Sequence, residues 1–297
     1  MIYAVVGPTA SGKTAFSLEL ADALGGPDAV EIISADSMQL YRGMDIGTAK
    51  IPVAERRGIA HHQIDVLDVT DEASVRAYQQ SARADIAAIQ ARGRTPIVVG
   101  GSGLYISGLF DELDFPGTDP ELRAELEAAP LKDLIAELER TDPISAATIN
   151  LKNPRRVIRA VEVVRLTGRS YTPVFPRHTS HYPDVVHIGV NRDKEMLNAS
   201  ILDRARGMFA DGLVEETRAL LDVGLREGVT ASRATGYREA IAVVDGEMTV
   251  EDAIESVAFA TRRLAKKQRT WFRPDPRIAW QDLSDGDVAA AVARALD

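Results

Sequence analysis

The chain contains no cysteine, which excludes disulfides and thiolate metal sites. No apolar run approaches the roughly 20 residues of a membrane span; the longest, near residues 3–6 and 97–99, are strand-length. Met1 leads straight into a strand-like apolar segment, leaving no room for a signal peptide, and with the missing cysteine this fits a cytoplasmic address. There is no internal repeat and no low-complexity segment. What remains is an ordinary soluble globular composition, 45% apolar and 27% charged, over 297 residues. That length suits one large domain or a core carrying a second unit.

A net charge of −9 argues at first sight against a nucleic-acid partner. Phosphate contacts need a local basic surface, however, and two stretches supply one. Lys152, Arg155, Arg156, Arg159, Arg165, Arg169 and Arg177 face only Glu162 in their stretch, and Arg262, Arg263, Lys266, Lys267, Arg269, Arg273 and Arg277 face only Asp275. Taken alone, each stretch also reads as a solvated helix face.

The first third alternates strands and helices. Ile2–Val6 reads as a buried strand, 13–24 as a helix, Val30–Ser34 as a second strand and 64–66 as a third. A long amphipathic helix over 74–91 stops at Gly93, and 96–99 is a further buried strand ending in Gly100-Gly101. Short apolar strands separated by helices imply βαβ units and a parallel sheet covered on both faces. From 113 to 184 the pattern changes to helices broken by prolines, with Pro116-Gly117 and Asp119-Pro120 at one end and the polar, proline-bearing run 172–183 at the other. The expected architecture is therefore α/β, a parallel sheet flanked by helices (1–112 and 185–297) with an inserted all-helical domain (113–184), and the G-x-x-x-x-G-K-[ST] loop at Gly7–Thr14 makes that sheet P-loop NTPase-like. After a strand over 185–190 the chain reads as mostly helical, including a periodic helix from about 250 to 272.

Gly7-Pro8-Thr9-Ala10-Ser11-Gly12-Lys13-Thr14 matches the G-x-x-x-x-G-K-[ST] phosphate-binding loop in full. Glycines let successive N–H groups turn toward phosphate oxygens. The following helix adds its positive N-terminal end, Lys13 a full charge, and Thr14 a hydroxyl for a magnesium ion. A P-loop ATPase normally also carries an aspartate at a neighbouring strand end. Here the strand 96–99 runs into Gly100-Gly101-Ser102-Gly103 with no carboxylate, which weakens ATPase and kinase readings. Asp36 follows the second strand by two residues. Loops at the carboxyl ends of parallel strands share one crevice, so Asp36 should reach whatever the loop holds and can serve there as a general base. A turn or helix-cap aspartate is the equally weighted alternative.

At these residues the sequence resembles the bacterial tRNA dimethylallyltransferases (tRNA isopentenylpyrophosphate transferases), over essentially its whole length. The resemblance rests on residues 7–14 together with Ser34-Ala35-Asp36-Ser37-Met38-Gln39-Leu40-Tyr41-Arg42-Gly43-Met44-Asp45-Ile46-Gly47-Thr48-Ala49-Lys50. It continues in Gly100-Gly101-Ser102-Gly103-Leu104-Tyr105, Asn153-Pro154-Arg155-Arg156-Val157-Ile158-Arg159-Ala160, Thr167-Gly168-Arg169-Ser170, Gly236-Tyr237-Arg238-Glu239 and the run 261–273. Departures are small: Ser102 stands where threonine is common, and Ile51 precedes Pro52.

The resemblance implies that the loop holds dimethylallyl diphosphate rather than ATP, with Mg²⁺, and that the acceptor is the adenine next to the anticodon of tRNA. It implies a flipped base in a channel through the core and an inserted helical domain clamping the anticodon stem-loop. On this reading Asp36 takes the proton from the adenine N6, and Lys13, the loop amides, Thr14 and Arg238 stabilise the leaving diphosphate. Thr9 orients the bridging oxygen. Tyr237, Gly236, Arg233, Arg123, Ser102 and residues Asp36, Ser37, Met38 and Gln39 face the tRNA, together with Arg155, Arg156, Val157, Ile158 and Arg159.

Asn153-Pro154-Arg155-Arg156 reads as an N-cap, a first-turn proline and two arginines in the opening turn of a helix. Cations there oppose the helix dipole, an arrangement that makes sense if they meet phosphate. Glu162 could satisfy one of these arginines but hardly three. Trp271 and Phe272 read as core rather than as a base platform, and His61-His62 as a strand start rather than metal ligands. The expected partners are thus tRNA and dimethylallyl diphosphate, with no membrane, for a monomer. Three rivals remain: an adenylate isopentenyltransferase, which needs no clamp; a small-molecule kinase, which should carry the strand-end carboxylate; and a non-catalytic tRNA-binding protein, which has little use for both the loop and Asp36.

Overall fold

The computed structural model describes residues 1–113, 115–171 and 178–297, and every structural statement below refers to these residues. Contacts divide the chain into two compact units, one of Met1–Glu112 with Pro176–Asp297 and one of Leu113–Phe175.

The larger unit is a six-stranded, wholly parallel sheet. In chain order its elements are β1 (Ile2–Val6), α1 (Lys13–Ala23), β2 (Val30–Ser34), β3 (His61–His62), α2 (Val75–Ala91), β4 (Thr95–Gly100) and α3 (Gly103–Phe110). Every residue of β1 and β2 is buried, as an all-parallel sheet with both faces covered requires. Full burial of one such Val, Leu or Ile side chain stabilises by about 1.5–3 kcal/mol. Ser74 caps α2 by accepting from the Ala77 N–H at 3.1 Å, and Tyr78, Ala82, Ile86 and Ile89 bury one face of that helix on the sheet.

The smaller unit contains α4 (Pro120–Ala128), α5 (Leu131–Thr141), α6 (Pro143–Thr148) and α7 (Pro154–Thr167). Leu126, Leu134, Leu138, Ile149, Val157 and Val161 form its own core. The chain returns to the larger unit for β5 (Val185–Asn191), α8 (Lys194–Ala210), α9 (Leu213–Asp222), α10 (Tyr237–Val244), α11 (Val250–Phe272), β6 (Ile278–Asp282) and α12 (Val288–Leu296). Strand order is β3-β2-β4-β1-β5-β6. β1 therefore lies between β4 and β5, and the connection from β1 to β2 passes over β4. That reversal opens a crevice at the carboxyl ends of the strands, where ligands bind in open α/β sheets.

Three expectations about elements are corrected. The third strand is His61–His62 rather than 64–66, because Gln63 and Asp65 take φ of 57° each and turn the chain off the ladder. Val66 and Leu67 donate instead to the Leu40 carbonyl, at 2.8 and 2.9 Å. β6 was not expected at all: only Ile278 of its five residues is buried, so it has no apolar run to read. The helical insert ends earlier than 184. Residues 178–184 are tied to the larger unit by His181 N–H to Phe110 C=O at 2.7 Å, Ile2 N–H to Asp184 C=O at 2.9 Å and Glu112 N–H to Thr179 Oγ1 at 2.9 Å. Residues 172–177 of the expected connecting run, Arg177 among them, lie outside the described residues.

Candidate active site

The loop between β1 and α1 forms the floor of a cavity of about 340 Å³, lined by Thr9, Gly12, Lys13 and Thr14 and reached by Asp36 beyond β2. A second, smaller cavity of about 110 Å³ is lined by Met38, Gly47, Ile201, Met208, Ala234, Thr235, Val257 and Leu264. Thr9, Asp36, Thr48 and Arg204 line both. The two cavities thus meet at a waist where a carboxylate, a hydroxyl and a guanidinium converge. Asp36 and Lys13 share the first cavity, as the order β2-β4-β1 dictates.

Asp36 is held by its turn, with Oδ1 accepting from the Met38 N–H at 2.9 Å; Oδ2 makes no hydrogen bond among the described residues. It is therefore both a turn aspartate and a cavity residue. Burial drives the Lys13 ammonium down to about 8, against the pull of Asp36 and with the help of Arg204. The ammonium donates to the Pro8 carbonyl at 2.7 Å. Arg204 lies on α8 and donates to Thr9 Oγ1 at 3.4 Å and to the Thr48 carbonyl at 3.3 Å, bridging two walls of the waist. Burial lowers its guanidinium and Asp36 raises it. Within the loop Gly7, Pro8 and Ser11 are buried, Ala10 has φ of 63°, and Thr14 is exposed at the first turn of α1.

β4 ends in Gly100 and runs into Gly101 with no carboxylate, and a Cβ on Gly101 would lie 2.5 Å from Gln268 Nε2. Gln268 comes from α11 and accepts from the Thr9 N–H at 2.8 Å. One turn on, Trp271 donates from Nε1 to Ser107 Oγ at 3.3 Å and Phe272 is buried, both serving the core as expected. Ser37 and Ser102 are interlocked, the Ser37 N–H donating to Ser102 Oγ at 3.3 Å. Gln39 accepts from Ser34 Oγ at 2.8 Å and donates to the Thr48 carbonyl at 3.2 Å. The Ser37–Ser102 contact joins the loop after β2 to the turn after β4, and the Gln39 contacts brace that loop internally.

Several expected site residues stand elsewhere. Arg238 is 65% exposed, pairs with Glu239 and lines neither cavity, so the cation at the waist is Arg204 instead. Tyr237 is fully buried: its hydroxyl donates to Glu216 at 2.6 Å and accepts from the Gly47 N–H at 3.2 Å, which leaves the ring no face to present. Gly236, with φ of 99°, is buried and donates to Glu239 at 2.9 Å, whereas Arg233 is exposed. Arg204 had a signal in the sequence: with Leu197, Ile201, Ala205 and Met208 it lies on the apolar stripe of α8, where an arginine is out of place.

In the helical unit, Val157 and Ile158 point into its core and offer no side chain to a partner. Glu162, fully buried, takes both Arg159 at 2.7 Å and Arg123 at 3.2 Å. Arg159 also donates to the Pro116 and Gly117 carbonyls at 2.6 and 3.0 Å, so these two arginines serve the fold. Arg155 and Arg156 are exposed and have no acidic partner among the described residues. Asn153 occupies the N-cap position of α7 without a side-chain cap.

His61 and His62 form the short edge strand β3, the strand-start placement expected of them. His62 Nε2 lies 2.6 Å from Glu31, which also holds Arg92 and Arg94. Burial would raise the Glu31 carboxyl, but these partners pull it to about 2. No group of three or more His, Cys, Asp or Glu able to hold a metal occurs among the described residues. A magnesium ion here would thus take most of its ligands from a diphosphate and water, with Thr14 as the loop's hydroxyl, which fits that ion's habit of keeping waters.

Residues 39–275 match the family model described as IPP transferase. The chain is 50% identical over 305 residues to the tRNA dimethylallyltransferase of Nocardia farcinica, covering 98% of this chain and 96% of that one. It is similar in structure to the full-length tRNA isopentenylpyrophosphate transferase of Bacillus halodurans (38% identity, TM-score 0.70, 99% and 97% of the two chains). It is also similar to a eukaryotic dimethylallyltransferase acting on tRNA (26% identity, TM-score 0.84, 99% and 76%). With a loop, a carboxylate and a guanidinium at the meeting of two cavities, and these likenesses over nearly its whole length, the chain belongs to the IPP transferase family.

Proposed function

We propose that this protein transfers a dimethylallyl group from dimethylallyl diphosphate to N6 of the adenine adjacent to the anticodon, position 37, in tRNA, and releases diphosphate. The observation that carries this reading is the waist: one cavity with an anion-binding floor and one apolar cavity share Thr9, Asp36, Thr48 and Arg204. Two substrates entering from opposite sides would react there.

The adenine N6 is a weak nucleophile because its lone pair is delocalised into the ring, so both ends of the reaction need help. The N6–C1 bond forms as the C1–O bond to diphosphate breaks. The Asp36 carboxylate accepts the N6 proton. Lys13, Arg204 and the loop amides stabilise the negative charge that grows on the leaving diphosphate, and Thr9 orients its bridging oxygen. Magnesium, bound with the diphosphate at Thr14, would supply further charge neutralisation. A kinase reading lacks support, since the end of β4 carries no carboxylate and Gln268 packs against Gly101 there.

Arg155 and Arg156, with no acidic partner among the described residues at the start of α7, are proposed to hold the tRNA backbone, the helical unit acting as a clamp. Arg156→Ala is expected to lower tRNA affinity and to reduce the slope of log affinity against log salt by about one. Unchanged affinity and slope in a filter-binding titration would remove that contact. On this reading the enzyme works in the cytoplasm, where its acceptor is. We also propose that it acts as a monomer.

Incubation with radiolabelled dimethylallyl diphosphate tests the whole reading. Label should enter tRNA and not AMP; transfer to AMP alone would make the protein a free-nucleotide prenyltransferase, and transfer to neither would reject the activity. The pH dependence follows from Lys13. Its ammonium, at about 8, is charged below that pH and lost above it. kcat/KM for the donor should therefore fall as pH rises through about 8, and Lys13→Ala should abolish that limb along with efficient donor use. A flat alkaline profile in the wild type would detach Lys13 from donor binding.

A further inference from the structure

We propose that Arg192 is a further diphosphate-binding residue, whose guanidinium takes the terminal phosphate of the donor and holds it through release. The proposal rests on reading the loop cavity as a diphosphate site. Arg192 follows β5, lines the loop cavity and does not line the second one. It therefore stands on the loop side of the waist, which is where the phosphate farther from the reacting carbon belongs.

Its guanidinium lies against the loop itself. A Cβ built on Gly12 would meet Arg192 Nη2 at 3.4 Å and Leu283 Cδ1 at 3.1 Å. Gly12 is the N-cap of α1 with φ of 96°, so a side chain there would be strained as well as crowded. A guanidinium beside the positive end of a helix is unfavourable unless an anion joins them. No anion among the described residues does so. Arg192 makes no ion pair among the described residues, and its Nε is buried without a hydrogen-bond partner. The adjacent Asp193 is turned to α8, where it accepts from the Glu195 N–H at 2.7 Å.

The turn that carries Arg192 is fixed from several sides. Arg269 of α11 donates to Asn191 Oδ1 at 2.8 Å and to the Arg192 carbonyl at 3.1 Å. Leu283 N–H donates to the Asn191 carbonyl at 2.9 Å, and Asp193 N–H to Ser284 Oγ at 2.7 Å. A cation on a rigid turn, desolvated on one edge and facing a phosphate loop, is preorganised for an anion. Lys13, Arg192 and Arg204 then oppose the single carboxylate of Asp36 in that cavity, where burial lowers the His61 imidazole. The excess suits a leaving group that gains one negative charge when its bond to carbon breaks.

Titration calorimetry of inorganic diphosphate with magnesium into the full chain tests this, using wild type, R192Q and R192K. The dissociation constant should rise on the order of 10–100-fold in R192Q, the loss of one charge-assisted partner, and less in R192K, which keeps the charge but not the planar fork. KM for dimethylallyl diphosphate should rise by the same factor, with KM for tRNA and the melting temperature unchanged. Wild-type diphosphate binding in R192Q would overturn the role of Arg192 and leave the diphosphate site standing. Loss of binding accompanied by a lowered melting temperature in both variants would make the residue structural and overturn it too. Failure of the wild type itself to bind diphosphate would reject the underlying site.

Discussion

Asp36→Asn is expected to lower turnover by about 10²–10⁴-fold, the usual cost of removing a general base, with tRNA affinity nearly unchanged. The asparagine is the sharper variant because Asp36 has two jobs. Its Oδ1 holds the turn through the Met38 N–H, and an amide oxygen can keep that bond. Only the basic oxygen is lost, so the melting temperature should hold while single-turnover transfer collapses. Asp36→Ala removes both and should cost at least as much turnover, with some stability besides. A rate near that of the wild type in Asp36→Asn would show that the proton leaves by another route.

Arg204→Met should cost on the order of 10²–10³ in transfer rate, the scale of removing one preorganised donor from a site of developing charge. Methionine approximates the length of the arginine stem, so the packing of α8 beside Ile201, Ala205 and Met208 is largely kept. The guanidinium bridges Thr9 Oγ1 and the Thr48 carbonyl. Its loss should therefore loosen the position of Thr9 as well as remove charge. Lysine should not rescue it, since one ammonium cannot span both walls as a fork does. Arg238→Ala is the control: exposed and paired with Glu239, it should leave the chemical step within a few-fold of wild type. If Arg238→Ala lost the rate and Arg204→Met kept it, the assignment of the waist cation would be reversed.

Much of the core was legible because short-range rules decide it. β1 and β2 are buried along their whole length and bounded by glycines or polar turns, and α11 keeps helical spacing for 23 residues. The loop Gly7–Thr14 reads directly, since its function depends on backbone and on residues in one stretch. β6 escaped because an edge strand with one buried residue carries no periodic signal. The division of labour among the arginines of α7 also escaped. Spacing shows that Glu162 is near Arg159, but only folding brings Arg123 onto the same carboxylate from another helix.

The amino-acid order alone settled that this chain builds a parallel sheet with a phosphate loop after its first strand, because glycine content, apolar runs and helix starts are local properties. Which cation meets the carboxylate was decided by tertiary structure. Thr9, Asp36, Arg204 and Gln268 are far apart along the chain, and they converge because the strand order lays β4 between β1 and β2 and packs α8 and α11 across their carboxyl ends. Such convergence depends on packing between distant segments, which leaves no mark in the spacing of any one of them.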